Sequence, residues 1–199
     1  MPKPFILRHL TALALVTAGI GAQAADFSFA GNLVFNTDVV QFSFSVAAPG
    51  DVRLWTDSWL AGLNIDPTLA LFDSGLNHLL TGDDSPDPTA LLPGQGGYDA
   101  TLTLGALAPG VYRLALSASG QDALGPTLGN GFSLDGSTPI AIAQWNQPSY
   151  DLNTNDQKGS FWQLHIDGVD QASVVPEPAG WALMLGGLTG LVALARRRR

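Results

Sequence analysis

Apolar and polar positions alternate through the middle of this 199-residue chain. Val40, Phe42, Phe44 and Val46 are separated by polar residues, which predicts a strand over 39–47 with one buried face. Turns rich in Gly, Pro, Asp and Asn separate further runs with the same period of two, and no stretch of ten residues has a helical period. The other predicted strands are 27–35, 51–57, 68–73, 98–105, 111–118, 131–134, 140–145 and 160–167. The pattern predicts one all-β domain of antiparallel strands.

Two predicted turns have the same sequence. Ala48-Pro49-Gly50 and Ala108-Pro109-Gly110 each place Pro and Gly where a type II turn requires a φ near −65° and then a positive φ. Arg-Leu follows each turn at the same offset, so an internal duplication is an alternative explanation. We expect instead two separate hairpins with similar turn chemistry.

The N-terminus has the pattern of a secretory signal peptide. Lys3 and Arg8 precede an apolar run over 10–20, and the small-x-small sequence Ala-Gln-Ala ends at Ala24. We expect residues 1–24 to form a signal helix that is removed by cleavage after Ala24. The alternative is an anchor helix retained in the mature protein, although the apolar run is short for a membrane span.

The C-terminus contains a candidate membrane span. Residues 179–195 carry no charge and would extend roughly 26 Å as a helix. Trp181 suits an interfacial anchor, and the final four residues are arginines that favour the cytoplasmic side. A C-terminal core helix is the alternative, but such a helix needs a polar face. The anchor residues are therefore Trp181, Arg196, Arg197, Arg198 and Arg199.

Pro176, Glu177 and Pro178 directly precede this span. Their order, followed by the span and the arginine cluster, resembles the PEP-CTERM sorting signal of exported proteins, which is also called an ice-binding-protein C-terminal domain. The resemblance covers residues 173–199. It implies recognition by an exosortase-type membrane protease that cuts near Pro176, Glu177 and Pro178. The expected location is the inner membrane before processing, and the cell envelope or the extracellular space afterwards.

The body also resembles a known family. The sequences Val-x-Leu-Trp-Thr, Leu-Phe-Asp, Asp-Asp and Pro-Gly-x-Tyr occur in this order within 27–118, which is similar to pre-peptidase C-terminal domains. This resemblance implies a single jelly-roll-like β-sandwich of about eight or nine strands over residues 25–172.

The predicted mature body is strongly acidic. Between residues 26 and 177 there are 17 acidic side chains and three basic ones, a net charge of −14. This charge argues against nucleic acid and anionic lipid as partners, and the alternative to cation binding is a solvated acidic surface. The chain has no cysteine, which excludes zinc–thiolate sites and thiol catalysis.

Asp73, Asp83 and Asp84 are candidate calcium ligands, because Ca²⁺ prefers several oxygen ligands. The alternative is an acidic turn, since the spacing does not match an EF-hand loop. No other cofactor and no catalytic residue is predicted, and we expect His78 and His165 to be structural.

The sequence therefore predicts a non-enzymatic exported protein of the cell surface or extracellular matrix. Its expected partners are the sorting protease, the inner membrane transiently, and extracellular polysaccharide. A calcium- or carbohydrate-binding sandwich module, with Trp residues stacking on sugars, is the alternative function. A hydrolase is a third hypothesis.

Overall fold

The structure, a computed structural model, describes residues 24–87, 89–147 and 157–176. These residues form two antiparallel sheets packed face to face, together with three 3-10 helices at Leu60–Gly62, Leu128–Asn130 and Ile142–Gln144. The strands are β1 (Ala25–Asn32), β2 (Val40–Val46), β3 (Gly50–Thr56), β4 (Pro67–Phe72), β5 (His78–Gly82), β6 (Thr101–Leu107), β7 (Gly110–Ala118), β8 (Phe161–Val169) and β9 (Gln171–Val174). The predicted all-β sandwich is confirmed.

The first eight strands form one long antiparallel hairpin that is folded over on itself. β1 pairs with β8, β2 with β7, β3 with β6 and β4 with β5, and the hairpin closes at the β4–β5 turn. Folding produces a four-stranded sheet of order β1-β8-β3-β6 and a five-stranded sheet of order β5-β4-β7-β2-β9. This is the jelly-roll arrangement, with β9 added beside β2.

The core lies between the two sheets and follows the predicted alternation. In β2, the side chains of Phe42, Phe44 and Val46 are at most 4% exposed, whereas Ser43 and Ser45 face outward. The opposite sheet contributes a similar inward row from β8, in which Trp162, Leu164 and Ile166 are buried. Burial of each large side chain contributes about 1.5–3 kcal/mol relative to exposure, so these rows hold the sheets together.

The two Ala-Pro-Gly segments do not close hairpins, and this prediction is wrong. Each segment instead carries the chain from one sheet to the other, because β2 and β7 lie in the five-stranded sheet while β3 and β6 lie in the four-stranded sheet. Val46 pairs with Gly110 and Gly50 pairs with Leu107, so the two corners lie side by side. Neither Gly50 nor Gly110 has a positive φ, which excludes a type II turn with Gly at its third position. The sequence repeats because both segments bend the same folded hairpin at the same place.

Two predicted strands are wrong and two real strands were not predicted. Residues 131–134 form a turn in which Phe132 covers the outer face of the five-stranded sheet, against Phe72 and Ala115. Residues 140–145 contain a 3-10 helix with Ile142 buried. Both segments were mistaken for strands because they bury apolar side chains. The short edge strands β5 and β9 were not predicted.

The connections divide the sandwich into two different ends. One end, which we call the long-loop end, contains the connections 33–39 and 57–66 and the described parts of the connections 83–100 and 119–160. The other end, which we call the short-turn end, contains the connections 47–49, 73–77 and 108–109. β1 begins at the short-turn end, whereas β9 runs antiparallel to β2 toward the long-loop end. The two termini of the described body therefore lie at opposite ends.

Replacement of Phe44 by Ala should lower the free energy of unfolding by about 3–5 kcal/mol, because the ring is 1% exposed and stacks on Tyr112 at 5.3 Å between centroids. Ser43→Ala is the matched control on the outward face of the same strand and should change stability by less than about 0.5 kcal/mol. Chemical denaturation followed by tryptophan fluorescence measures both values. Equal losses at the two positions would contradict the assigned inward face.

Candidate functional site

The last described residues leave the sandwich along β9. This strand pairs with the edge of β2, from Ser45 opposite Gln171 to Phe42 opposite Val174. The N–H of Val175 then donates to the carbonyl oxygen of Gln41 at 2.8 Å. Pro176 follows Val175 and is the last described residue of this segment. The described part of the sheet therefore ends at the start of the predicted sorting motif.

An apolar groove of about 410 Å³ runs beside this exit. Val174, Val175 and Pro176 form one side, and Leu76 and Leu128 lie among the residues of the other side. The last described residues are thus held by backbone hydrogen bonds on β2 and by apolar neighbours.

The predicted processing residues lie at both ends of the described body. Ala24 is exposed immediately before β1, and Pro176 is exposed two residues after β9. The other predicted tail residues lie outside the described residues: Glu177, Pro178, Trp181, Arg196, Arg197, Arg198 and Arg199. Within the described ranges, no helix has the length and hydrophobicity needed to cross a bilayer.

Asp73 caps the β4–β5 turn at the short-turn end. Its Oδ1 accepts hydrogen bonds from the backbone N–H of Asn77 at 2.8 Å and from the Asn77 amide at 3.1 Å. These bonds, led by the one from the Asn77 side chain, lower the pKa of the Asp73 carboxyl. The carboxylate is therefore used in the turn itself.

Asp83 and Asp84 lie at the opposite end of the same hairpin. The hydroxyl of Thr68 donates to Oδ1 of Asp83 at 2.6 Å, which places Asp83 beside the start of β4. Thr68 and Asp73 are five residues apart on an extended strand, a separation of about 17 Å. The structure does not bring Asp73 together with Asp83 and Asp84 in a calcium site. Among the residues that the structure describes, no group of three or more His, Cys, Asp or Glu side chains is arranged to hold a metal ion.

Asp83 has acidic neighbours of its own. Loss of solvent contact, and then the charge of Asp83, raises the pKa of Asp84. The same two causes, in the same order, raise the pKa of Asp122. Asp83 therefore repels both Asp84 and Asp122 at the long-loop end.

A polar row crosses the outer face of the four-stranded sheet. Ser28, His165 and Trp55 occupy paired positions on β1, β8 and β3. The Ser28 hydroxyl lies 2.8 Å from Nδ1 of His165, and Nε2 of His165 lies 3.2 Å from a carboxylate oxygen of Asp57. The imidazole stacks on the Trp55 ring at 3.9 Å, and the indole N–H donates to Asp167 at 2.8 Å.

This row contains the residue types of a serine hydrolase, but its setting differs from that of an active site. Acyl transfer requires a bound carbonyl group and donors for its oxyanion, in addition to a Ser–His–Asp relay. The Ser28 hydroxyl is instead exposed on an edge strand at the side of an open sheet face. The contacts fix the His165 ring against Trp55, and the structural role of this histidine stays a prediction.

Sequence reasoning missed this row because the partners come from three strands. The alternation in β8 correctly placed Gln163, His165 and Asp167 on one face. Only the pairing of β8 with both β1 and β3 shows that Ser28 and Trp55 flank the histidine. No motif within a single segment contains this information.

No protein-family model and no curated protein matches the sequence. Among solved structures, the chain is similar to the pre-peptidase C-terminal domain of a collagenase from Bacillus anthracis. The identity is 12%, the TM-score is 0.41, and the match covers 72% of this chain and 90% of that domain. The PEP-CTERM assignment stays a prediction.

Acidification from pH 7 toward pH 4 should stabilise the protein. Asp84 and Asp122 have pKa values raised above 3.8, so the folded state binds more protons than the unfolded state in this range. Their contribution to stability therefore rises as the pH falls through their pKa values in the folded state. The rise is complete when the pH approaches their pKa values in the unfolded state. In Asp84→Asn/Asp122→Asn, the acid-induced gain in melting temperature should be smaller by about 1–2 °C.

Asp87→Asn is the control for this titration, because hydrogen bonds from Thr89 lower the pKa of Asp87. A group with a lowered pKa makes stability fall as the pH decreases, and it does so only at pH values near or below the pKa of the unfolded state. The Asp87→Asn variant should therefore keep the full acid-induced gain in melting temperature. Buried Asp99 also has a raised pKa but is present in all three proteins. An equal gain in the wild type and the double variant would contradict the raised pKa values of Asp84 and Asp122.

Calcium should stabilise the protein no more than sodium chloride at matched ionic strength. Specific binding to the folded state would add RT ln(1 + [L]/Kd), but the predicted ligands lie at two ends of the hairpin. Melting temperatures of the wild type and of Asp83→Asn/Asp84→Asn distinguish the two cases. A calcium response that exceeds the salt response and disappears in the variant would restore the calcium site at Asp83 and Asp84.

Proposed function

We propose that this chain is an exported, non-enzymatic protein of the cell surface or extracellular matrix. Residues 173–199 act as a PEP-CTERM sorting signal, and an exosortase-type protease cuts near Pro176, Glu177 and Pro178. The inner membrane holds the chain until that cleavage. The sandwich is then delivered to the cell envelope or to extracellular polysaccharide.

The position of β9 supports this proposal most directly. Among the described residues, the last strand ends at Val174, and the last ladder hydrogen bond is made by the N–H of Val175. Cleavage at the motif would leave all nine described strands intact. A processing site only two residues after the last strand therefore separates a complete domain from its tail.

The charge of the body suits a hydrated matrix. A net charge of −14 over residues 26–177 favours solubility and repulsion between neighbouring copies, and it disfavours nucleic acid. The polar row at Ser28, His165 and Asp57 lies on an open sheet face, where it positions a histidine. Neither feature requires catalysis.

The binding-module alternative receives less support from the described residues. Its calcium ligands are divided between the two ends of the β4–β5 hairpin. The candidate sugar-stacking residues are Trp55, Trp59, Trp145 and Trp162. Trp55 is 9% exposed and Trp162 is 5% exposed, Trp145 packs against the core, and half-buried Trp59 lies against Tyr98 at 5.1 Å between ring centroids. A buried indole cannot offer its face to a sugar ring.

Replacement of Glu177 by Ala should leave an unprocessed, membrane-bound form of the protein. Glu177 is the charged member of the motif and follows the last described residue of the body, so its loss should affect recognition by the protease and leave the sandwich unchanged. Intact mass and immunoblotting of membrane and medium fractions measure processing in cells that contain an exosortase-type protease.

Gln171→Ala is the matched control, because Gln171 is an exposed residue of β9, close to the motif but outside it. This variant should be processed normally. Protein of normal mature mass in the medium of the Glu177→Ala strain would refute the sorting function. An unchanged melting temperature of purified Glu177→Ala excludes misfolding as the cause of retention.

A further inference from the structure

Large apolar side chains are exposed at the long-loop end of the sandwich. Their exposed fractions range from 37% at Phe161 to 75% at Leu63. We call this group the apolar rim; it consists of Val34, Phe35, Leu60, Leu63, Ile140 and Phe161. A group of exposed apolar side chains marks an interaction surface more often than single exposed residues do.

A buried asparagine fixes the first part of the apolar rim. Asn36 is 3% exposed; its N–H donates to the carbonyl of Ile140 at 2.9 Å, and its Oδ1 accepts from the N–H of Ile140 at 2.8 Å. The carboxylate of Asp38 accepts from the N–H groups of Val34 and Phe35 at 2.6 and 2.8 Å. These bonds join two loops and hold their apolar side chains in fixed, exposed positions.

A second buried asparagine fixes the other part. The Asn64 amide, 3% exposed, donates to the carbonyl of Ser58 at 2.8 Å and to that of Phe161 at 2.5 Å. Its Oδ1 accepts from the N–H of Phe161 at 3.1 Å. Leu60 lies in the same loop with a φ of 50°, a conformation that is rare for leucine and that the surrounding loop maintains. The rim is therefore built into the fold and does not result from frayed loops.

The chain leaves the sandwich next to this rim. Val175 bonds to Gln41 near the start of β2, and the loop 33–39 that leads into β2 contains Val34 and Phe35. From Pro176, only three residues lead to the predicted span at 179–195, a distance of about 10 Å when extended. A bilayer that contains this span lies within reach of the rim.

The acidic group of the long-loop end lies on the other side of the same end. Asp83 and Asp84 follow β5, which is the opposite edge strand of the five-stranded sheet from β9. Val34 and Phe35, in the loop that leads into β2, are thus the rim residues nearest to the tail, and these carboxylates lie at the other edge of the sheet. This separation favours contact with lipid on the tail side only.

We infer that the apolar rim rests in the headgroup boundary of the bilayer that holds the tail. The inference depends on the proposed function, because the tail must span the membrane. The occupant is zwitterionic lipid, since a body with a net charge of −14 is repelled by anionic headgroups. The short-turn end, with Ala24, then points away from the membrane.

Single-cysteine labelling of the full chain in phosphatidylcholine liposomes tests this inference. The chain has no native cysteine, so Val34→Cys and Leu63→Cys each provide one site for an environment-sensitive fluorophore. Val111→Cys is the matched control, because Val111 is 53% exposed, compared with 60% for Val34, but lies at the short-turn end. With nitroxide-labelled lipid, the fluorophore at the rim should lose about half of its emission or more, as expected about 5–10 Å into the headgroup boundary, while the control stays unchanged.

The possible results separate this inference from the proposed function. Failure of the labelled chain to float with liposomes would overturn the membrane-spanning tail and, with it, the inference. Flotation without quenching at Val34→Cys and Leu63→Cys, or with equal quenching at Val111→Cys, would overturn the inference alone. Anionic lipid should reduce quenching at the rim and added salt should restore it, whereas stronger quenching with anionic lipid would also contradict the inference.

Discussion

Phe42 joins the two sheets at the edge where the sandwich closes. Its ring is fully buried, lies 5.2 Å from Phe29 of β1, and meets Trp162 of β8 edge-on at 5.7 Å. The same residue pairs with Leu114 on one side and with Val174 on the other. The contacts and the pairing of this one residue therefore reach the first, eighth and ninth strands. Aromatic contacts of this kind contribute about 0.5–1.5 kcal/mol beyond the burial of area.

The strands that were predicted correctly from the sequence are those whose two faces differ in exposure to solvent. β2 and β8 alternate because one face packs in the core and the other meets solvent. β5 lacks this difference, since Leu79 and Leu80 are both exposed on an edge strand. Phe132 and Ile142 are buried without being in strands, because loops over the sheets also need apolar contacts. The burial of apolar residues alone therefore could not distinguish a strand from a loop that packs on a sheet.

Prediction of the candidate sites from the sequence was limited in a similar way. Three aspartates that are near in sequence were predicted to lie together, but a hairpin separates residues that precede its turn from residues that follow its second strand. Ser28 and His165, in contrast, are 137 residues apart and lie in hydrogen-bonding contact. Separation along the sequence therefore predicts neither the distance between the aspartates nor the contact between Ser28 and His165. The reason is that the pairing within a folded hairpin joins strands from opposite ends of the chain.

The pairing of β1 with β8 also determines when the fold can form. A chain that is synthesised from its N-terminus presents β1 first, yet β1 has no partner in its sheet until residues 161–169 arrive. Only the β4–β5 turn is a local hairpin among the strand pairs of the first eight strands. Folding dominated by such distant contacts is slow, because long loops must close before their contacts stabilise them. The sandwich can therefore be completed only after β8 and β9 have emerged, when all nine strands of the described body have been synthesised.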